Sequence, residues 1–191
     1  MKKILFLIIA LAMCLGGCAT SNNINNEEFN KPFVGPIQKI EKDQILVEYA
    51  TEFNHHQKNR SYNIKLAASL IDGIILNEGE IFSFNKTVGK RTTKRGFKKA
   101  GIFIKGKKAI GIGGGICQVS STLHAAAYNL GLKILKRSEH SRPVGYISRD
   151  LEATVSWGTL DLVFQNNTEQ TLKVKATIKN ENEIIVRFLK L

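Results

Sequence analysis

The stretch Gly111-Ile112-Gly113-Gly114-Gly115-Ile116-Cys117-Gln118-Val119-Ser120-Ser121-Thr122-Leu123 decides how this chain is read. Ile116, Val119, Leu123, Ala126 or Ala127, and Leu130 recur every three or four residues, which predicts a helix that begins near Ile116 and stops at Gly131. Cys117 then sits in the first turn. Unpaired backbone N–H groups and the positive end of the helix dipole favour a thiolate there over a thiol, which makes the sulfur a better nucleophile near neutral pH. The same donors suit an oxyanion, so Gly114, Gly115 and Gln118 are the candidate oxyanion and substrate residues. The glycines permit positive φ and clear side chains from the path to the sulfur. Nucleotide loops do not fit: a dinucleotide fingerprint starting at Gly111 needs glycine where Ile116 stands, and a phosphate loop needs Lys followed by Ser or Thr.

A thiol nucleophile needs a base, and the histidines are His55, His56, His124 and His140. His55 and His56 lie in a polar run. His124, two helical turns beyond Cys117 on the same face, is too far along it for direct contact and reads as a packing residue. His140 follows a predicted strand, Leu132 to Arg137, in a connection that an antiparallel return would bring beside the helix start. The group that orients it is open between Asp150, Glu152 and Asp161. No Cys-x-x-Cys or His-Glu-x-x-His spacing occurs, so no metal and no cofactor is expected.

Working outward, a strand is expected at Gln44 to Phe53. A helix follows, N-capped by Ser61, with Ile64, Ala67, Ala68 and Ile71 on one face and Gly73 as its stop. Between Asn85 and Ala100 lie Lys86, Lys90, Arg91, Lys94, Arg95, Lys98 and Lys99 with no acidic residue, the densest positive patch of the chain. It lacks interleaved aromatics and any DNA-reading spacing, so anionic wall polymers or lipid headgroups fit it better than nucleic acid. From Thr154 the pattern turns to strands at Thr154–Trp157, Leu160–Phe164, Thr171–Ile178 and Ile184–Leu189, with Leu172, Val174, Ala176 and Ile178 alternating with polar residues. The expected fold class is α+β, a cysteine-bearing helix packed on a largely antiparallel sheet, ending in a C-terminal β-meander.

The 191 residues, 43% of them hydrophobic, suffice for one core, and a net charge of +12 favours acidic partners. Lys2 and Lys3 precede an apolar run, Ile4 to Leu15, too short to span a bilayer, and Leu15-Gly16-Gly17-Cys18 resembles a bacterial lipobox. The expected organisation is a lipoprotein signal peptide at 1–17, a lipidated Cys18 with a flexible tether at 18–36, and one domain at 37–191, held on the extracytoplasmic face of a bacterial cell membrane. The exported part keeps 26 basic against 16 acidic side chains, and Cys117 is its one thiol once Cys18 carries lipid.

Four blocks resemble the VanW domain family over about residues 44–175: Gly79-Glu80-Ile81-Phe82-Ser83-Phe84-Asn85, the run Gly111 to Leu123, His140-Ser141 with Pro143, and Ala153-Thr154-Val155 followed by Gly158 and Asp161-Leu162. The resemblance implies a bacterial cell-wall protein. Some members of the family are understood to be L,D-transpeptidases that cross-link peptidoglycan through a cysteine thioester, forming 3-3 links with release of D-Ala. By that likeness Cys117 matches the family cysteine and His140 its downstream histidine, with peptidoglycan stem peptides as partners and Arg142 a candidate for holding a substrate carboxylate. One departure is that Glu152 stands where the family pattern has Asp before Ala-Thr-Val. The rival readings are a cell-wall cysteine peptidase or amidase, and a non-catalytic wall-binding or glycopeptide-resistance accessory module.

Overall fold

The computed structural model describes residues 44–104 and 106–191. The expected signal peptide, the lipidation site Cys18 and the tether lie outside the described residues. Strand β1 (Gln44–Glu52) is followed by helix α1 (Lys58–Ile71), β2 (Ile75–Leu76), β3 (Ile81–Ser83) and the short helix α2 (Phe84–Val88). A hairpin of β4 (Lys99–Ile104) and β5 (Lys107–Ile112) leads through the glycine run into α3 (Ile116–Asn129). Strands β6 (Lys133–Lys136), β7 (Val163–Gln165), β8 (Leu172–Lys179) and β9 (Glu183–Lys190) complete the domain.

The fold is α+β, as expected. All named strand pairs are antiparallel, in one sheet ordered β1-β9-β8-β2 and a second ordered β3-β7-β6, with β4 and β5 as a separate hairpin. Leu172, Val174 and Ala176 of β8 are buried at alternate positions, which sets its register on β9, since a one-residue slip would turn this row out to solvent; β9 is buried on both faces, with Ile185 and Leu189 covered as well as Ile184, Val186 and Phe188. Asn180 and Glu181 adopt positive φ of 47° and 61° to close the β8–β9 hairpin, a conformation that Asn tolerates better than most residues. Phe164 ties the sheets together: it stacks on Phe82 at 4.8 Å and meets Phe188 edge-on at 5.9 Å. Such aromatic pairs add about 0.5–1.5 kcal/mol each beyond the area they bury.

Helix α3 packs on β1 and β9 on one side and on α1 on another, so it is buried on nearly every face. Its polar residues are satisfied inside the protein: Thr122 Oγ1 pairs with Thr51 Oγ1 at 2.8 Å, and Gln118 Nε2 donates to Thr51 Oγ1 and to the Glu52 carbonyl.

Several expectations change in the structure. Helix α1 starts at Lys58, so Ser61 is not its cap; Ser61 is buried inside the helix and its hydroxyl donates to the Asn54 carbonyl. The segment expected as a strand at Thr154–Trp157 forms only an isolated bridge, Ser156 with Leu160. Its backbone groups go elsewhere: Ala153 N–H donates to the Ser121 hydroxyl, the Ala153 carbonyl accepts from Ser120 at 2.6 Å, and Thr154 N–H donates to the Ser138 carbonyl. The C-terminal strands divide between the sheets, since β7 pairs with β3 and β6 while β8 and β9 stay neighbours. The β4–β5 hairpin was not anticipated. Among the described residues no helix is long and apolar enough to cross a membrane.

Candidate active site

The glycine run is held in place from α1. Asn63, fully buried, donates from Nδ2 to the carbonyls of Gly114 and Lys98 and accepts the Lys98 N–H at its Oδ1, tying the loop to β4. At Gly114 a Cβ would come within 2.4 Å of the Gly101 carbonyl oxygen, so the loop lies directly on the β4 backbone and no side chain fits there. Gly115, the residue before α3, has φ of 107°. Cys117 is therefore the second residue of a helix whose entry is fixed by backbone contacts.

Around the thiol the chain brings three groups together. The Cys117 Sγ lies 3.5 Å from the Thr154 hydroxyl and 3.5 Å from the Val155 carbonyl oxygen, and it interacts with the His140 imidazole. The Nδ1 of His140 is 3.0 Å from Glu152 Oε2, which also accepts the His140 backbone N–H at 2.9 Å, while Glu152 Oε1 takes the Val144 N–H. Glu152 is 1% exposed, so its carboxylate is sealed against these donors. With Nδ1 engaged by the carboxylate, the ring presents Nε2 to the sulfur, giving a chain of Cys117, His140 and Glu152 with the geometry of a nucleophile, a base and an orienting group.

The charge balance follows the geometry. Burial pushes the Cys117 thiol up, but hydrogen bonds with His140, Thr154 and the Val155 backbone, together with the nearby imidazolium charge, outweigh it and leave the pKa below the ordinary thiol value. Burial likewise opposes a charge on His140, yet its interactions with Cys117 and Glu152 raise it above the ordinary imidazole value. Both shifts run in the direction that favours a thiolate–imidazolium pair.

Glu152 owes its position to α3. The hydroxyls of Ser120 and Ser121 clasp both backbone groups of Ala153, His124 Nδ1 meets the Leu151 carbonyl at 2.9 Å, and Arg137 donates to the carbonyls of Asp150 and Glu152. Sequence reasoning assigned no such role to Ser120 and Ser121, although the polar pair inside an otherwise apolar helix was the available signal. It also missed Tyr146, which lies edge-on to His140 with ring centroids 6.4 Å apart. Burial, and next the neighbouring Cys117 charge, push the Tyr146 phenol well above its ordinary range, so it stays protonated.

Other candidates lie elsewhere. Asp161 accepts from the Ser83 hydroxyl and the Asn85 N–H at the start of α2, and Asp150 is exposed. Gln118 points toward β1, both ends of its amide already used, Oε1 by Arg60 and Nε2 by Thr51 and Glu52, so its side chain is no oxyanion donor. Arg142 is exposed against the hairpin turn, where a Cβ on Gly106 would lie 3.2 Å from its Nε. Within the basic segment Arg91 and Arg95 turn back on the fold, Arg91 to the Asn85 side chain and Arg95 to the carbonyls of Val88 and Lys90, whereas Lys86, Lys90, Lys94, Lys98 and Lys99 are exposed. His55 and His56 are exposed beside the start of α1. Among the described residues no cluster of three His, Cys, Asp or Glu side chains is placed to hold a metal ion.

The family model described as "VanW like protein" matches residues 59–189, a span that contains all of α1 but its first residue, the glycine run, and Cys117, His140 and Glu152. The chain belongs to the VanW-like family. It is 47% identical over 133 residues to the uncharacterized protein YoaR of Bacillus subtilis, covering 70% of this chain and 44% of that protein. It is 29% identical over 178 residues to the vancomycin B-type resistance protein VanW of Enterococcus faecalis, covering 90% of this chain and 62% of that one. The chain thus spans less than two thirds of the length of either relative, and no solved structure matches it. In this VanW-like domain Glu152 takes the place beside the histidine despite its extra methylene, because the segment from Leu151 to Ala153 is fixed against α3 and the longer carboxylate reaches back to both the His140 backbone and its ring.

Proposed function

We propose that this VanW-like domain is a cysteine acyltransferase acting on peptidoglycan stem peptides, an L,D-transpeptidase in effect. The observation that carries the reading is the interaction of Cys117 with His140, whose Nδ1 is hydrogen-bonded to the buried Glu152. The Cys117 thiolate attacks the carbonyl between the third stem residue and its terminal D-Ala, and the new C–S bond forms as that carbonyl carries an oxyanion. The N–H groups at the entry of α3 support the oxyanion, and the imidazolium of His140 gives its proton to the departing D-Ala amine as the C–N bond breaks. The thioester is then attacked by the side-chain amine of a neighbouring stem. His140 takes the amine's proton, the thiolate leaves, and a 3-3 cross-link remains. Glu152 holds the ring in the tautomer that aims Nε2 at the sulfur throughout.

Incubation of the full chain with purified tetrapeptide muropeptides, read by mass spectrometry, tests this. The expected products are free D-Ala and a dimer whose mass is that of two substrates less one D-Ala. D-Ala without dimer would assign the domain to the hydrolase class, with water as acceptor, and neither product would overturn the catalytic reading.

The lipobox at Leu15 to Cys18 supports placing the protein on the outer face of the cell membrane, with the exposed lysines between Lys86 and Lys99 facing anionic wall polymers. Cell fractionation checks the anchor: the protein is expected in membranes, and Cys18→Ala is expected to release it or leave it unprocessed. A wild-type protein found wholly soluble with residues 1–17 attached would exclude the lipid anchor.

A further inference from the structure

The flanks of the glycine run rest on two arginines. A Cβ at Gly115 would lie 3.0 Å from Arg60 Cγ, and one at Gly113 would lie 3.1 Å from Arg91 Cβ and Cγ, so each arginine stem runs directly beneath the loop that delivers Cys117. Arg60 Nη1 and Nη2 both donate at 3.0 Å to Gln118 Oε1, the side chain next to the nucleophile in sequence, which leaves its other N–H groups uncommitted among the described residues. Arg91 Nη1 bonds to Asn85 Oδ1, the guanidinium stands 5.5 Å from the Phe84 ring centre, and its Nη2 is buried with no hydrogen-bond partner among the described residues.

Neither guanidinium forms an ion pair with a carboxylate among the described residues, and each is partly buried. Burying two cations with only neutral amide oxygens as acceptors is costly, and it is offset where an anion comes to the same place. For both, burial lowers the pKa; Tyr146 and then Cys117 oppose it at Arg60, and Cys117 and then Asp161 oppose it at Arg91, so the Asp161 carboxylate offsets part of the Arg91 charge. An open groove of about 520 Å³ runs past Arg60, walled by Gln57, Lys58 and Asn59 of the α1 entry and by Ala100 and Gly101 of β4. Two residues of the groove wall, Ala100 and Gly101, are also the ones that Gly114 of the glycine run packs on.

We propose that Arg60, fixed by Gln118 and reinforced by the charge of Arg91, is the carboxylate-recognition point of the groove, selecting acyl donors that carry a free carboxylate beside the carbonyl attacked by Cys117. This rests on the acyl-transfer reading and names its donor class, a peptide ending in a free D-amino acid carboxylate rather than an amide or a longer chain. The forked guanidinium matches a carboxylate in a way that a lysine ammonium does not. Arg60, bonded to Gln118 with its stem against Gly115, suits this role better than the exposed Arg142.

The test uses two alkylating probes of nearly equal size, iodoacetate and iodoacetamide, at one pH on the full chain. The ratio of their rates at Cys117 cancels the thiolate fraction, so it reports recognition of the carboxylate and not nucleophilicity. The wild type is expected to favour iodoacetate by about tenfold more than Arg60→Gln or Arg91→Gln. As a measurement that needs no variant, a short peptide ending in D-Ala is expected to protect wild-type Cys117 from iodoacetamide, while its C-terminal amide does not. Equal rate ratios in wild type and variants, or equal protection by acid and amide, would overturn the proposal. Failure of cross-linking with muropeptides alongside a preserved iodoacetate preference would instead sink the acyl-transfer reading and leave the carboxylate site standing.

Discussion

Replacing Cys117 by Ser is expected to remove D-Ala release and dimer formation together, by about 10³-fold or more, with the fold retained. The substitution exchanges one atom of similar shape at the second residue of α3, and its surroundings, the Thr154 hydroxyl and the Val155 carbonyl, accommodate either group. What changes is ionisation. Burial opposes a charge at this position, and it is overcome for the thiol only because His140 and Thr154 stabilise an anion that sulfur forms readily. A hydroxyl starts several pH units further from ionisation, and the same neighbours cannot close that gap. Muropeptide assays and thermal unfolding of the two proteins check this. An active Ser variant would show that the sulfur is not the nucleophile.

The second large effect is expected at Glu152. Gln at this position keeps the shape and one acceptor oxygen but removes the charge that supports the His140 imidazolium. Activity is expected to fall about 10²- to 10⁴-fold, as for other uncharged replacements of the orienting acid in a catalytic triad. The pH profile carries the sign. In the wild type the lowered Cys117 pKa and the raised His140 pKa both widen the pH window in which the thiolate–imidazolium pair is populated. The stabilisation from His140 is complete below its unfolded pKa and lost as pH rises through the raised folded value; that from Cys117 is complete above its unfolded pKa and lost as pH falls through the lowered one. In Glu152→Gln the His140 pKa falls, the window narrows, and the midpoint of iodoacetamide alkylation moves up toward the ordinary thiol value. An unchanged midpoint would detach Glu152 from the site.

The lysine-rich segment illustrates how charge counting differs from charge placement. By composition its seven basic residues form one patch, whereas the folded chain sends Arg91 beneath the glycine run and keeps the lysines outside. No periodicity separates these fates. A guanidinium can turn inward because it is planar, weakly hydrated and able to rest on an aromatic ring such as Phe84, while an ammonium keeps its water.

His140 was reached only through the return of the chain and the family likeness, whereas local pattern alone was enough for the α3 boundaries, for β1, for the β8–β9 hairpin and for placing Cys117 in the first turn of α3. These features rest on short-range physics: a 3.6-residue apolar repeat, alternation along a strand, a glycine entry to a helix and one thiol among few chemically able residues. The third site residue depended on something longer in range. Asp150, Glu152 and Asp161 are equivalent in composition, and only the packed structure separates them. The serine hydroxyls of α3 capture the backbone of Ala153 just after the 3-10 turn Arg149–Leu151, where Glu152 is extended, so Glu152 and Thr154, two residues apart, both face the Cys117–His140 pair. Asp161 is meanwhile drawn to the start of α2. The inward turn of Arg60 has the same origin, because the partners in these contacts lie 32 to 78 residues apart in sequence and meet only when the α1–α3 interface closes and the sheets pair. A helix or a turn follows from neighbours a few residues apart, but the choice among like charges is made by which partner the fold brings within hydrogen-bond reach, and that is a property of the tertiary structure.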